Sequence, residues 1–160
     1  WKVNNRIIAP DNVNQAFGLK PAQLAALIST WDCMLYLSGG EGFGIPPYEA
    51  LASGVPVIYS NYSAHADFCQ HGGLPVRVDL IPEINFSINR AYADVNHAVE
   101  QVLYAYRNRK EMKALGMKGR DFCETKSIDY TAQQWDKIFT EMMKEEVGVR
   151  NTTKVYADVL

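Results

Sequence analysis

The sequence predicts an α/β fold in which a parallel sheet is flanked by helices and followed by a purely helical C-terminal part. Up to Asp79, short apolar runs bounded by glycine or proline alternate with helix-like segments. Each pair occupies about 20 residues, as in βαβ units. From Asp94 onward, apolar residues recur only at helical spacing. A chain of 160 residues, 48% of them hydrophobic, is long enough for one domain with its own core.

Four short strands are predicted. Arg6–Ala9 ("RIIA") is apolar and stops at Pro10, which cannot continue a ladder of hydrogen bonds. Cys33–Ser38 ("CMLYLS") is continuously apolar, as expected of a strand buried on both faces. The other two strands are predicted over Pro56–Ser60 and near Leu74–Asp79.

Helices are predicted between these strands. Pro21 suits the first turn of a helix, and apolar residues follow it at helical spacing: Leu24, Leu27, Ile28 and Trp31. The segment "PPYEALAS" predicts a second helix, which Gly54 ends. A third helix is predicted near Ala64–Gln70.

The C-terminal part is predicted to hold three helices. Asp94 suits the N-cap of the first, whose predicted buried stripe consists of Val95, Ala98, Val99, Val102, Leu103 and Tyr106. Two more are predicted near Arg109–Lys126 and Tyr130–Glu145. We therefore expect a domain over residues 1–148 and a loosely held polar tail over residues 149–160.

Charge and cysteine content exclude several classes of protein. A net charge of -2 and an isoelectric point near 5.9 argue against nucleic acid as the main partner. The three cysteines lie far apart, which indicates neither a zinc site nor a disulfide framework, so buried reduced thiols are expected. No apolar run reaches the roughly 18 residues of a membrane span, and no signal peptide opens the chain. A cytoplasmic location follows as an expectation.

The segment Ser38–Ser60 ("SGGEGFGIPPYEALASGVPVIYS") places a glycine loop between a strand and a helix. Ligands of open parallel sheets bind at such corners, and helix N-termini attract phosphates. Because Pro46 and Pro47 lack N–H groups, the donors facing an anion would be those of residues such as Gly44 and Ile45. Carboxylates at Glu41 and Glu49 suit sugar or ribose hydroxyls. Each feature by itself is more often structural.

Taken together, "EGFGIPPYEALASGVPVI" resembles the Glu-x7-Glu signature of retaining GT-B-fold glycosyltransferases of the family 4 type. The resemblance covers roughly Arg6–Met143 and is most specific in Ser38–Ser60. It implies a Rossmann-like sheet that forms the C-terminal, donor-binding half of such an enzyme. It also implies a UDP- or GDP-linked sugar as donor, an unidentified hydroxyl acceptor, hexosyl transfer, and no cofactor or metal.

The same resemblance assigns roles to individual residues. Glu41 would be the catalytic residue and would bind hydroxyls of the donor sugar, and Glu49 would bind the ribose hydroxyls. Ser38 is a weaker candidate for a nucleotide contact. Backbone N–H groups would reach the sugar and diphosphate from the four residues after Glu41: Gly42, Phe43, Gly44 and Ile45. The Phe43 side chain is expected to pack the loop.

Other conspicuous residues receive structural interpretations. The three histidines (His65, His71 and His97) lack ligand spacing and are expected to be surface or packing residues. Trp31 and Trp135 fall on apolar helical faces and are expected in the core. A mildly basic helix carrying Lys110, Lys113, Lys118 and Arg120 is typical of a solvated face, with contact to a membrane surface as the less favoured alternative.

The resemblance also indicates missing parts. A GT-B enzyme has two such domains, and the Arg and Lys that usually neutralise the donor diphosphate have no counterpart before Trp1. In the strand order 3-2-1-4-5-6, two strands are expected between Arg6–Ala9 and Cys33–Ser38. We therefore expect this chain to be a fragment, or to be completed by another chain or segment, and to be inactive by itself.

Two alternative functions remain at this stage. Glu41 and Glu49 could act as the acid and nucleophile of a glycoside hydrolase, which requires carboxyl groups about 5 to 9.5 Å apart. A non-catalytic interaction module that retains a nucleotide pocket is the other alternative. The intact motif argues against it.

Overall fold

The computed structural model describes residues 18–84 and 87–146. The predicted strand Arg6–Ala9 and the predicted tail 149–160 therefore lie outside the described residues. The prediction that two strands separate Arg6–Ala9 from Cys33–Ser38 is untested for the same reason. The chain divides into two compact units, Trp1–Asp121 and Phe122–Leu160.

Six helices and five strands are found in the described part of the chain. The helices are α1 (Pro21–Ile28), α2 (Ile45–Ala52), α3 (Ala64–Cys69), α4 (Val95–Arg107), α5 (Arg109–Glu124) and α6 (Ile128–Glu146). The strands are β1 (Met34–Tyr36), β2 (Val57–Ser60), β3 (Gly73–Val76), β4 (Val78–Glu83) and β5 (Ile88–Ala93). The predicted α/β class and the helical C-terminal part are confirmed.

The main sheet is parallel and has the order β1-β2-β3. Met34 pairs with Val57, which in turn pairs with Gly73, so the carboxyl ends of the three strands meet at one edge. All four residues of β2 are buried. Side chains of Ile58 and Tyr59 point to opposite faces, towards α4 and α3 respectively. Helices thus cover both faces of the central strand.

Strand β1 differs from its prediction. Within residues 18–84 and 87–146 it pairs only with β2, and its Leu35 side chain is 52% exposed. The expectation of a strand buried on both faces is therefore wrong for β1 in the described part of the chain.

A β-hairpin follows β3 where the sequence predicted a single strand near Leu74–Asp79. The predicted strand near Leu74–Asp79 is divided between β3 and β4, and β4 pairs antiparallel with β5. Asp79 pairs with Tyr92 and Glu83 with Ile88. Most side chains of this hairpin are exposed, so the apolar alternation that marks a half-buried strand was absent from the sequence.

Helix α5 crosses close to two loops at the amino ends of the strands. A Cβ on Gly116 would lie 2.2 Å from the Gly54 carbonyl oxygen, and one on Gly72 would lie 2.5 Å from Gly119 Cα. Gly54 ends the region of α2, as predicted, with a φ of +76°. Gly72, Gly116 and Gly119 therefore permit backbone-to-backbone packing that side chains would prevent.

Helix α4 begins as predicted, because the Asp94 carboxylate accepts a hydrogen bond from the backbone N–H of His97 at 3.0 Å. Its predicted buried stripe is largely wrong. Only Ala98 of that set is buried, whereas Val95 is 72% exposed. The helix packs on Ile58 and Val76 through Ala98 and Ala105, so its small residues, not its large ones, face the sheet.

The prediction of two core tryptophans is also wrong. Trp31 is 40% exposed and Trp135 is 54% exposed. Within the second unit, Trp135 stacks on Phe139 with ring centroids 5.4 Å apart. Trp31 also lies beyond the end of α1 at Ile28, so apolar spacing extended that helix too far.

Candidate active site

The loop between β1 and α2 lies at the carboxyl edge of the parallel sheet. Tyr36 ends β1, Ser60 ends β2, and α2 begins at Ile45. The Ser60 hydroxyl donates to the Ser38 carbonyl oxygen at 2.5 Å, which ties the end of β2 to the start of the loop. The loop is thus anchored at the position where open parallel sheets bind ligands.

The Glu41 carboxylate lies within a group of hydroxyls. Tyr36 OH donates to Glu41 Oε1 at 2.5 Å, and Ser38 Oγ donates to the same oxygen at 2.7 Å. These two bonds, the Tyr36 bond first, hold the pKa of Glu41 below its ordinary value. Burial, followed by the bond to Glu41, raises the pKa of Tyr36 to about 12. Glu41 is therefore an ionised hydrogen-bond acceptor over the whole neutral range.

The backbone at Glu41 is held from the far side of the loop. Its N–H donates to Ser63 Oγ at 2.9 Å. Ser63 has φ 60° and ψ −167°, a conformation that is almost restricted to glycine. Strained residues of this kind cluster at functional sites. Ser63 thus positions its hydroxyl at a cost in backbone energy.

His65 supports the same loop from α3. Its ring is fully buried, with Nε2 3.0 Å from the Ser60 carbonyl oxygen and 3.2 Å from Ser60 Oγ. With Nε2 donating to the carbonyl, Nδ1 is the acceptor that faces Ser63 Oγ at 3.5 Å. Burial lowers the pKa of His65, which favours the neutral ring. His65 is a packing residue, as predicted, although it packs beneath the candidate site.

The N-terminus of α2 presents backbone donors. Within the described residues, the N–H groups of residues 42–45 make no hydrogen bond. Gly44 has φ +97°, and a Cβ there would lie 2.8 Å from His65 Cβ, so only glycine fits. Gly42 differs, since a Cβ there would meet nothing within 4 Å. The fold therefore explains Gly44 but does not explain Gly42.

The remaining predicted site residues lie on this loop and helix. Phe43 is 51% exposed, and its ring lies 5.3 Å from Tyr48 and 5.1 Å from Phe68, so it packs the loop as expected. Ile45 is exposed at the first position of α2. Glu49 lies one turn further along α2 and is half-buried. All seven predicted residues thus lie at the carboxyl edge of the sheet or directly after it.

Sequence reasoning missed Tyr36 and Ser63 and did not connect His65 with the site. Tyr36 was interpreted only as part of an apolar strand. Ser63 and His65 belong to "SNYSAHAD", a polar segment directly after β2. Because ligands of parallel sheets bind beyond the carboxyl ends of the strands, the position of this segment could have indicated both residues.

Residues 18–84 and 87–146 contain neither a metal-ligand cluster nor a membrane-spanning helix. No group of three or more His, Cys, Asp or Glu side chains there could hold a metal ion. None of the helices in that part of the chain has the length and apolar character needed to cross a membrane. No disulfide joins the three cysteines of the described residues, of which Cys69 and Cys123 are buried and Cys33 is half-buried.

Comparison with known proteins places this loop and helix within a known family. The family described as "Glycosyl transferases group 1" matches residues 7–122, which includes the whole loop and α2. The chain belongs to this family. It is 42% identical over 57 residues to the O-antigen chain mannosyltransferase RfbU of Salmonella typhimurium, over 36% of this chain and 16% of that protein. It is 37% identical over 73 residues to ORF313 of Acidianus filamentous virus 1, named as a glycosyltransferase, over 43% and 23% of the two chains.

A solved structure has the same fold as this chain. Sucrose-phosphate synthase from Thermosynechococcus elongatus matches 80% of it with a TM-score of 0.61 and 20% sequence identity. The match covers 29% of that synthase. The chain thus spans less than a third of the length of each of these three proteins. The glycoside hydrolase alternative gains no support from these comparisons.

The strain at Ser63 leads to a stability prediction. Both Ser63→Gly and Ser63→Ala remove the hydroxyl. The two variants therefore differ from each other only in side-chain size and backbone freedom. We expect the glycine variant to be the more stable by about 1 to 3 kcal/mol, since only glycine relieves the strained φ. Urea unfolding measures this difference.

Ser29 provides the matched control, because it has an ordinary φ of −60°. There the usual order should hold, with Ser29→Ala more stable than Ser29→Gly by about 0.4 to 1 kcal/mol. The same order at Ser63 would contradict the assignment of strain.

Proposed function

We propose that this chain is the donor-binding part of a retaining hexosyltransferase, which moves a sugar from a UDP- or GDP-linked donor to a hydroxyl acceptor. One observation carries this proposal. Glu41 and Glu49 lie on either side of four backbone N–H groups that make no hydrogen bond in the described part of the chain. A nucleotide sugar has hydroxyls at both ends and a diphosphate between them, which matches this sequence of acceptors and donors.

The proposed chemistry divides between the loop and the helix. Glu41 accepts hydrogen bonds from hydroxyls of the donor sugar and is the catalytic residue, and Glu49 accepts those of the ribose. The N–H groups of residues 42–45 and the N-terminal end of α2 stabilise the negative charge that develops on the leaving diphosphate. Ser38 stays a candidate for a nucleotide contact. No metal or cofactor is required in this scheme.

The rest of the enzyme is also part of the proposal. An upstream domain, in the same chain or another, supplies the acceptor site and cationic groups for the diphosphate. This chain by itself then binds donor without transferring sugar.

Calorimetric titration of the chain with UDP, GDP, ADP and their sugars tests the proposal. We expect heat of binding from one nucleotide series and a Glu49→Ala variant that binds at least about tenfold more weakly, a loss of about 1.4 kcal/mol. The reason is that ribose hydroxyls lose a charged acceptor.

Glu100→Ala is the matched control, because Glu100 is an exposed helical glutamate on α4, outside the loop and α2. It should bind like the wild type. Equal weakening by both variants, or binding that is unaffected by Glu49→Ala, would contradict the assigned role. A folded chain that binds no nucleotide sugar but captures a protein partner would favour the interaction-module alternative.

A further inference from the structure

The hydrogen bonds at Glu41 are unequally shared between its two carboxylate oxygens. Oε1 accepts from both Tyr36 OH, at 2.5 Å, and Ser38 Oγ, at 2.7 Å. Among residues 18–84 and 87–146, no donor reaches Oε2. A carboxylate oxygen that already accepts two hydrogen bonds has little capacity for a third, so Oε2 is the oxygen open to a ligand.

Both donors are themselves fixed. Tyr36 is the last residue of β1, and its ring makes an edge contact with the buried His65 ring at 5.4 Å. Ser38 is two residues further on, where its own carbonyl accepts the Ser60 hydroxyl. The bonds to Oε1 therefore orient the carboxylate relative to the sheet and not merely relative to its own loop.

On the basis of the proposed function, we propose that Tyr36 and Ser38 are positioning residues for the transfer reaction. They hold Glu41 in one orientation as an acceptor only, with Oε1 occupied and Oε2 left for a hydroxyl of the donor sugar. A protonated or rotated carboxyl would present a donor or an occupied oxygen instead, and the sugar would lose its acceptor.

Other charged groups near the loop leave this arrangement intact. From α3, His65 is the nearest titratable group, and its pKa is lowered by burial. From β5, the Arg90 side chain lies against Gly39, but its guanidinium pairs with Glu83 at 2.7 Å. Both neighbours are unchanged in a Tyr36→Phe variant, so the difference between the variant and the wild type isolates the phenol.

The first measurement reads the carboxylate without any ligand. In protein labelled with ¹³C at the glutamate carboxyls, the Glu41 resonance is assigned with a Glu41→Gln variant and followed against pH. We expect Tyr36→Phe to move its titration midpoint to higher pH, because the largest interaction that lowers the pKa of Glu41 is removed. Ser38→Ala should move it in the same direction, and this second variant serves if the first does not fold.

The second measurement is donor binding by calorimetry at several pH values. Tyr36→Phe should bind the nucleotide sugar about tenfold more weakly at neutral pH, as for loss of a charge-assisted hydrogen bond that orients the acceptor. Its binding should also fail at a higher pH than that of the wild type as the solution is acidified, since Glu41 then becomes protonated sooner. Nucleoside diphosphate without sugar should bind both proteins equally.

Tyr104→Phe is the matched control, because Tyr104 OH donates to Glu111 Oε2 at 2.6 Å on the α4–α5 surface. It deletes the same kind of bond and should change neither the Glu41 titration nor binding. An unchanged midpoint in Tyr36→Phe overturns the positioning role irrespective of binding. A shifted midpoint with undiminished sugar binding overturns the assignment of Oε2. A shifted midpoint in Tyr36→Phe, together with a wild type that binds no nucleotide sugar, contradicts the proposed function and with it the ligand at Oε2, while the hydroxyl contacts to Oε1 are upheld.

Discussion

Gly116→Ala is expected to lower the free energy of unfolding by at least about 2 kcal/mol, although alanine is the better helix former. A Cβ at this position would lie 2.2 Å from the Gly54 carbonyl oxygen and 2.8 Å from Pro56 Cδ. Neither neighbour is the flexible end of a side chain, so α5 must move away from the loop between α2 and β2. The higher helix propensity of alanine stabilises the variant by about 1 kcal/mol at most, which is less than the expected cost of this overlap. Urea unfolding at 25 °C measures the change.

Ala114→Gly in the same helix is the matched control. Ala114 is exposed, so its replacement should cost up to about 1 kcal/mol from helix propensity alone. Alanine should thus be preferred over glycine at position 114, and glycine over alanine at position 116. A Gly116→Ala protein as stable as the wild type would mean that α5 does not contact the Gly54 loop in solution.

The sequence predicted those elements whose ends are marked by residues that start or stop a helix. Two prolines and a final glycine mark α2, and the Asp94 side chain marks the start of α4. The same reasoning failed where tertiary contacts decide. On α4, Ala98 faces the sheet while larger apolar residues are exposed, and apolar spacing alone cannot tell these faces apart. The β4–β5 hairpin was not predicted, because its sequence lacks the alternation of apolar and polar residues that indicates a half-buried strand.

The part of the candidate site that lies within one continuous segment could be predicted from the sequence. Glu41 and Glu49 lie within nine residues, and the glycine loop between them shows in the sequence. Tyr36 could not be added, because a strand tyrosine has no local feature that indicates a contact with Glu41. For Ser63 the available signal was its position directly after β2, which does not by itself indicate a contact with Glu41. The Ser63 contact arises from the parallel pairing of β1 and β2, which brings residues more than 20 positions apart to one edge. The Tyr36 contact spans only five positions and depends on how the loop after β1 turns back.

Gly42→Ala is expected to separate folding from donor binding. The fold places nothing within 4 Å of a Cβ at Gly42, and its φ is not in the left-handed region. Stability should therefore stay unchanged or rise by as much as about 1 kcal/mol, because alanine has less freedom in the unfolded chain. Nucleotide-sugar binding should weaken by at least about tenfold, or 1.4 kcal/mol, since the new methyl group occupies space through which the ligand approaches the backbone N–H groups.

Gly40→Ala provides the comparison needed to interpret this result. A Cβ at Gly40 would meet only the Tyr62 ring at 3.8 Å, an ordinary contact, so the fold should tolerate this substitution equally well. Gly40 precedes Glu41 and contributes none of the N–H groups assigned to the donor, so its variant should bind as the wild type does. Equal binding by wild type, Gly40→Ala and Gly42→Ala would show that the ligand does not approach the backbone at residue 42. Because folding does not require glycine there, selective loss in Gly42→Ala alone would have to come from the ligand.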